Sequence, residues 1–199
     1  MRIIAGKFRS RQLKSLKKLT LRPTSDRLRE TLFDILSNLV MGSRFIDAFA
    51  GTGAVGIEAL SRGAAEVIFL EKNPNAVSLI KQNLEVLRIR AGARVLPIDA
   101  LHGLELLAKE IRRQHGCLQI LFLDPPYASA TEYDRVLSFA GSSPLLAPGS
   151  LVIAEHRRTF GLPEIIESLQ CVRVLRQGDA ALTFYRVVKD TPPNGAATQ

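Results

Sequence analysis

The sequence is poor in the residues that build covalent or metal-held frameworks. Only Cys117 and Cys171 are cysteines among 199 residues, each set among strand-like apolar neighbours. Such isolated cysteines behave as small buried hydrophobes and exclude a disulfide-framed secreted scaffold. The three histidines, His102, His115 and His156, share no metal-ligand spacing with one another or with the cysteines. No apolar run approaches the roughly 20 residues needed to cross a bilayer. The opening MRIIAGKFRSR has no apolar stretch long enough for a secretion signal. These absences predict a cytoplasmic protein in a reducing compartment, without metal or membrane association. No obvious surplus of apolar surface calls for a second copy, so a monomer is expected.

Acidic residues are also scarce where the chain begins. Asp26 is the only acid before Glu30, against ten basic residues: Arg2, Lys7, Arg9, Arg11, Lys14, Lys17, Lys18, Arg22, Arg27 and Arg29. An even spread would place roughly four there. With a net charge of +8, this one-signed cluster favours a polyanionic partner. Hydrophobic residues at 46% supply a substantial core, so the chain reads as one globular domain with a small appendage.

Segments around Arg2–Ala5 and Gln12–Leu16 suit a hairpin about the Gly6–Arg11 turn. Pro23 breaks the chain, Thr24 or Ser25 can cap a helix, and Leu28, Leu32, Ile35, Leu36, Leu39 and Val40 give it an apolar stripe. Apolar strands near Arg44–Ala48, Glu66–Leu70, Arg94–Ile98, Leu118–Leu123 and Leu151–Glu155 then alternate with helical segments. That alternation predicts a parallel sheet covered on both faces. A short helix is expected near Pro163–Ser168, followed by a closing hairpin of Cys171–Arg176 and Ala181–Val188 about Gly178-Asp179. The expected organisation is an arm over residues 1–22, a main domain over 23–190 and a disordered tail over 191–199.

Two segments carry chemistry. Phe45 to Gly56 reads as a strand, a glycine turn and a helix start, and it matches the G-x-G-x-x-G fingerprint through Gly51, Gly53 and Gly56. Asp47 lies at the strand end, and Glu71 ends the second strand, where an acid can accept both ribose hydroxyls. Asp99, after the third strand, is placed either to meet an adenine amine or to cap a helix. A nicotinamide dinucleotide and S-adenosylmethionine fit this half of the pattern equally well.

The second segment, Leu121-Phe122-Leu123-Asp124-Pro125-Pro126-Tyr127, separates them. An exocyclic amine on a base is a weak nucleophile because its lone pair is delocalised into the ring. Asp124 and the carbonyl of Pro125 can each accept one amine hydrogen, which aims the lone pair at an electrophilic methyl. The proline ring fixes φ and holds that carbonyl. Tyr127 can stack on a base taken out of its own stack. The remaining work is alignment. Neither metal, thiol nor histidine base is required.

Phe45–Ala59 together with Asp124–Tyr127 resembles class I methyltransferases that act on exocyclic amines. Arg2-Ile3-Ile4-Ala5-Gly6, Arg22-Pro23-Thr24-Ser25-Asp26-Arg27 with Arg29-Glu30, and DAFAGTGAVGIEALSRGA resemble the bacterial 16S rRNA (guanine(966)-N(2))-methyltransferase family nearly to Val188. The resemblance implies an α/β, Rossmann-like class I methyltransferase fold. Its seven-stranded, mostly parallel sheet would carry helices on both faces and a small N-terminal β-hairpin extension. It implies S-adenosylmethionine as cofactor, bound by Asp47, Phe49, Ala50, Gly51, Gly53, Glu71, Asp99 and Ala100, with Asp47, Gly51 and Gly53 framing the methionine end, Glu71 on the ribose and Asp99 at the adenine. It implies Asp124, Pro125 and Tyr127 as the reaction site, and Lys7, Arg9, Arg11, Arg22, Arg27 and Arg29 as RNA contacts. The implied partner is 16S rRNA, within the small ribosomal subunit or an assembly intermediate. Thr52 stands where the family often has Ser, and Ala48 where it often has Leu; neither change removes a needed group. A DNA adenine-N6 methyltransferase has the same Asp-Pro-Pro-Tyr chemistry but usually a larger recognition region. A nicotinamide oxidoreductase leaves Asp124–Tyr127 without a role, and a non-catalytic RNA-binding protein predicts a degraded glycine loop.

Overall fold

The computed structural model describes residues 1–15, 25–111, 119–126 and 130–188. After the arm come α1 (Asp26–Val40), β1 (Arg44–Asp47), α2 (Ala54–Ser61), β2 (Glu66–Leu70), α3 (Pro74–Val86), β3 (Ala93–Leu96) and α4 (Ala100–Ile111). The second half holds β4 (Gln119–Leu123), α5 (Ala130–Ser142), β5 (Leu151–Arg157), β6 (Ile165–Ile166), β7 (Leu169–Gln177) and β8 (Ala180–Val187). The strands form one sheet in the order β3-β2-β1-β4-β5-β8-β7-β6. β1 to β5 run parallel, and β8, β7 and β6 extend the sheet antiparallel. Strand order reverses between β1 and β4, which is where open α/β sheets bind their ligands.

Strand alternation builds two cores. Phe45, Phe69, Phe122 and Ile153 face Leu32, Ile57 and Ile80 of α1, α2 and α3. Ile46, Ile68, Leu121 and Val152 face Leu104 of α4 and Val136 of α5. Both faces are buried under helices, which explains why the parallel strands read as continuous apolar runs. Ser25 caps α1, its Oγ accepting the Leu28 N–H at 3.1 Å. Leu28, Leu32, Leu36 and Val40 of the expected stripe are buried, whereas Leu39 is exposed.

Two expectations change. The segment Pro163–Ser168 is not a helix: Ile165 and Ile166 form β6, paired with Gln170 and Leu169. The turn places Glu167 at φ 53°, and Ser168 Oγ donates to the Gly141 carbonyl at 2.6 Å, fixing the hairpin against α5. The sheet therefore has the seven expected strands and a two-residue edge strand. The N-terminal hairpin is present, but its ladder is a single bridge, Arg2 to Gln12. Bonds from Ile3 N–H to the Arg11 carbonyl (3.0 Å) and from Leu13 N–H to the Met1 carbonyl (3.1 Å) flank it. Leu16, the expected end of its second strand, lies outside the described residues, as do His115, Cys117 and the tail from Thr191. Among the described residues, no helix is long and apolar enough to cross a membrane.

Candidate active site

β1 ends on Asp47 and hands the chain to a turn that starts α2. Asp47 is 2% exposed, and its Oδ2 accepts the Gly56 N–H at 2.9 Å. Burial pushes this carboxyl up to about 7; the Gly56 amide opposes the shift and the nearby Glu71 charge adds to it. Gly53 adopts φ 77°, and a Cβ there would lie 3.1 Å from Ile80 Cγ1, so both conformation and closeness require glycine.

Glu71 holds the turn from β2. Its Oε2 accepts the Gly51 N–H at 2.8 Å and its Oε1 the Asn73 N–H at 2.7 Å. Each carboxylate oxygen keeps a second lone pair for a further donor. Ala50 N–H bonds the Leu70 carbonyl at 3.1 Å; Ala50 is buried and Phe49 half-buried. A Cβ on Gly51 would meet only the Phe49 carbonyl oxygen, at 3.9 Å, so the mouth of the turn is open. An acid able to accept two hydroxyls beside an open glycine turn fits an adenosine-bearing ligand.

Asp99 caps α4, one of the two roles expected of it. Its Oδ1 accepts the His102 N–H at 3.2 Å, and Oδ2 lies 2.5 Å from His102 Nδ1. Burial alone would raise this carboxyl, but the bonds from His102 outweigh it and hold it below the ordinary value. Ala100, the first residue of α4, is buried.

The reaction segment follows β4, next to β1. Ala48 N–H bonds the Phe122 carbonyl at 2.9 Å, carrying the pairing one residue beyond the β1 strand. Asp47 pairs with Phe122, so Asp124, two residues on, falls on the same face of the sheet as Asp47. Asp124 is half-buried, Pro125 buried and Pro126 exposed, and Tyr127 lies outside the described residues.

The basic residues divide. Lys7, Arg9, Arg11 and Arg27 are exposed, and Arg22 lies outside the described residues. Arg29 does not face solvent, contrary to expectation: it is 0% exposed. Its Nη2 donates to the Arg2 carbonyl at 2.6 Å and to Asp26 Oδ1 at 3.0 Å. Its Nε lies 3.8 Å from Glu58 Oε2. Helical spacing sets it on the Leu28–Leu32–Leu36 side of α1, facing a buried acid on α2.

That acid belongs to a group that inspection of the sequence missed. Glu58, itself 0% exposed, accepts the Ile4 N–H at 2.8 Å and the Ala5 N–H at 3.0 Å. Ser61 Oγ donates to the Ala5 carbonyl at 2.5 Å and accepts the Phe8 N–H at 3.0 Å. A Cβ on Gly6 would sit 1.9 Å from the Ser61 carbonyl oxygen, so only glycine allows this approach. On α3, Asn83 Oδ1 accepts the Lys14 N–H at 2.8 Å, while Nδ2 reaches the Lys14 carbonyl at 3.3 Å and the Thr52 carbonyl at 3.4 Å. One side chain thus joins the arm to the glycine turn. The available signal was polarity out of place, since Glu58, Ser61 and Asn83 interrupt the apolar faces of their helices.

Known proteins are similar to this chain in sequence and in fold. Ribosomal RNA small subunit methyltransferase D of Escherichia coli K12 is 32% identical over 186 residues, covering 94% of this chain and 89% of its own. A solved Escherichia coli chain, yhhF, superposes with a TM-score of 0.80 at 29% identity, covering 96% of this chain and 99% of that one. An RNA methyltransferase from Salinibacter ruber, solved with S-adenosyl-L-homocysteine, shares the fold at a TM-score of 0.59 and 14% identity, covering 86% and 97%. The sheet is that of class I methyltransferases. Matching the model described as "Conserved hypothetical protein 95" over residues 1–186, and its rRNA methyltransferase relative over nearly the same length, the chain belongs to that family.

Proposed function

We propose that the protein transfers a methyl group from S-adenosylmethionine to the exocyclic N2 of a guanine, guanine 966, in the 16S rRNA of the small ribosomal subunit. The observation that carries this reading is the meeting of two strand ends. β1 brings an open glycine turn held by Glu71, and β4 brings Asp124 and Pro125 directly beside it. The named activity of the relative from Escherichia coli supports rRNA as the substrate class.

The bound cofactor supplies a methyl on a positively charged sulfur. Glu71 uses its remaining lone pairs on the ribose hydroxyls, and Asp47 fixes the start of α2 through Gly56. Asp99 and Ala100 border the adenine end. Asp124 and the Pro125 carbonyl each accept one hydrogen of the guanine amine, turning its lone pair towards the methyl. Tyr127 stacks on the base. Lys7, Arg9, Arg11, Arg22 and Arg27 meet RNA phosphates, and Arg29 serves by holding the arm through Arg2 and Glu58. After transfer the methylated amine is acidic, and it gives its surplus proton to Asp124.

Incubation with labelled S-adenosylmethionine and small-subunit RNA or particles lacking modifications, followed by nucleoside analysis, tests the assignment. N2-methylguanosine is expected. N6-methyladenosine would keep the chemistry and overturn the base. In the same assay Asp124→Ala should lose at least about a hundredfold in transfer rate while S-adenosylhomocysteine affinity stays within about twofold. Near-parental transfer would remove Asp124 from the reaction.

A further inference from the structure

Exposed Lys7, Arg9, Arg11 and Arg27 belong to the arm and α1, yet the other flank of Asp124 is basic too. Leu123 pairs with Ala154 in the parallel β4–β5 register, so the chain after Ala154 rises alongside Asp124, Pro125 and Pro126. It ends on exposed Arg157 and Arg158. β8 and β7 carry that row outwards: Arg157 pairs with Ala180, and Gln177 with Ala180 and Arg176 with Ala181. The Gly178-Asp179 turn therefore stands at the same edge of the sheet as Asp124. The Arg158 N–H bonds the Asp179 carbonyl at 2.8 Å and ties the two segments together.

Arg157, Arg158 and Arg176 are exposed at this end, with Arg173 exposed further along β7, and among the described residues of β5, β7, β8 and the turn joining β7 to β8 the one exposed acid is Asp179. Among the described residues, Arg158, Arg173 and Arg176 form no ion pair. The far end of the same ribbon instead mixes Glu164 and Glu167 with Arg186. Positive charge is thus concentrated at the end beside the reaction segment. β7 lies three strands from β4, about 14 Å at ordinary strand spacing.

We propose that this ribbon end, through Arg158 and Arg176, is a second RNA-binding surface that takes phosphate backbone on the side of Asp124 away from the N-terminal arm. The inference rests on the reading of the protein as an rRNA methyltransferase. Arginines suit this task because their charge is permanent and their fork matches phosphate oxygens. The sheet edge would then run from an acidic cofactor half at β1 and β2, through Asp124, to a basic substrate half at β5, β8 and β7. RNA held on both flanks would present its extruded base to the segment between them.

The test compares full-length parent, R158A/R176A and R158K/R176K for binding to undermodified small-subunit RNA over a salt series. Methyl transfer to that RNA and titration with S-adenosylhomocysteine are measured in parallel. The slope of log affinity on log salt should become shallower by about 1.5 in the alanine variant, and its KM for RNA should rise. The lysine variant should keep most of the slope, and cofactor-product affinity should be equal in all three. A parent that methylates the RNA with an alanine variant of unchanged slope overturns the surface and leaves the activity standing. A shallower slope without methyl transfer by the parent supports the surface and overturns the activity. A parent that neither binds nor methylates the RNA overturns both.

Discussion

Both ends of the described chain fold back as hairpins, and they are held in opposite ways. β7 and β8 zip along their whole length, with eight paired positions from Leu169–Val187 to Gln177–Ala180 and one bulge between Cys171 and Arg173. The N-terminal hairpin has one bridge and borrows its stability from Glu58, Ser61, Arg29 and Asn83. A ladder needs only its own backbone, whereas a docked arm needs polar groups buried in its neighbours. Two of those neighbours, α2 and α3, also support the glycine turn. Damage to the arm's anchors should therefore reach the cofactor, and damage to the C-terminal ribbon end should not.

The contrast can be broken most forcefully at Glu58. Removing one partner of a buried ion pair typically costs about 3–5 kcal/mol, and Glu58→Ala also strands the Ile4 and Ala5 amides. Chemical denaturation should show a loss of that size, and a loss below about 1 kcal/mol would mean the arm is held otherwise. Asn83→Ala comes next, at about 1–3 kcal/mol for buried groups left unsatisfied. It should also weaken S-adenosylhomocysteine binding, because Asn83 bonds the Thr52 carbonyl; calorimetry showing unaltered affinity would sever the arm from the turn. The smallest stability effect belongs to Arg27→Ala, within about 0.5 kcal/mol as for other exposed positions. Its signature is a salt slope for RNA binding shallower by about 0.7–0.9. The contrast with buried Arg29 is direct, since Arg29→Ala should unfold the protein more readily.

Asp47 sharpens the same comparison through pH. Its carboxyl is raised from 3.8 to about 7 in the fold, so between roughly pH 4 and 7 the folded state binds a proton that the unfolded state has released. Stability of the ligand-free protein should then fall as pH rises through that window and level off above it. Asp47→Asn removes this contribution. The variant's midpoint in denaturant, relative to the parent, should climb from pH 5 to pH 8. Parallel curves for the two proteins would show that Asp47 is ionised throughout.

Much of this was legible because the fold's chemistry sits next to its punctuation. β1 to β5 are covered on both faces and read as apolar runs. Asp47, Glu71, Asp99 and Asp124 each stand at or just past a strand end, so placing the strands placed the acids. β6 was not legible, because two isoleucines are too short a run to carry a period. Arg29 was misread for a different reason. In a cluster of exposed cations nothing local distinguishes the buried one, and its partner Glu58 becomes visible only when α1 packs on α2. Asp99 was left between two roles, and the structure shows its carboxylate bonded at the head of α4.

In the proposed reaction Asp124 and Pro125 grip the exocyclic amine of a guanine. That grip is tested most directly with small-subunit RNA assembled so that inosine replaces guanosine at position 966. Inosine keeps the ring, the carbonyl and the stacking surface but lacks the N2 amine. Methyl transfer at that position should vanish while RNA affinity stays close to that of the guanosine RNA. Methyl incorporation into the inosine at an undiminished rate would contradict the proposal and move the reaction to another atom of the base.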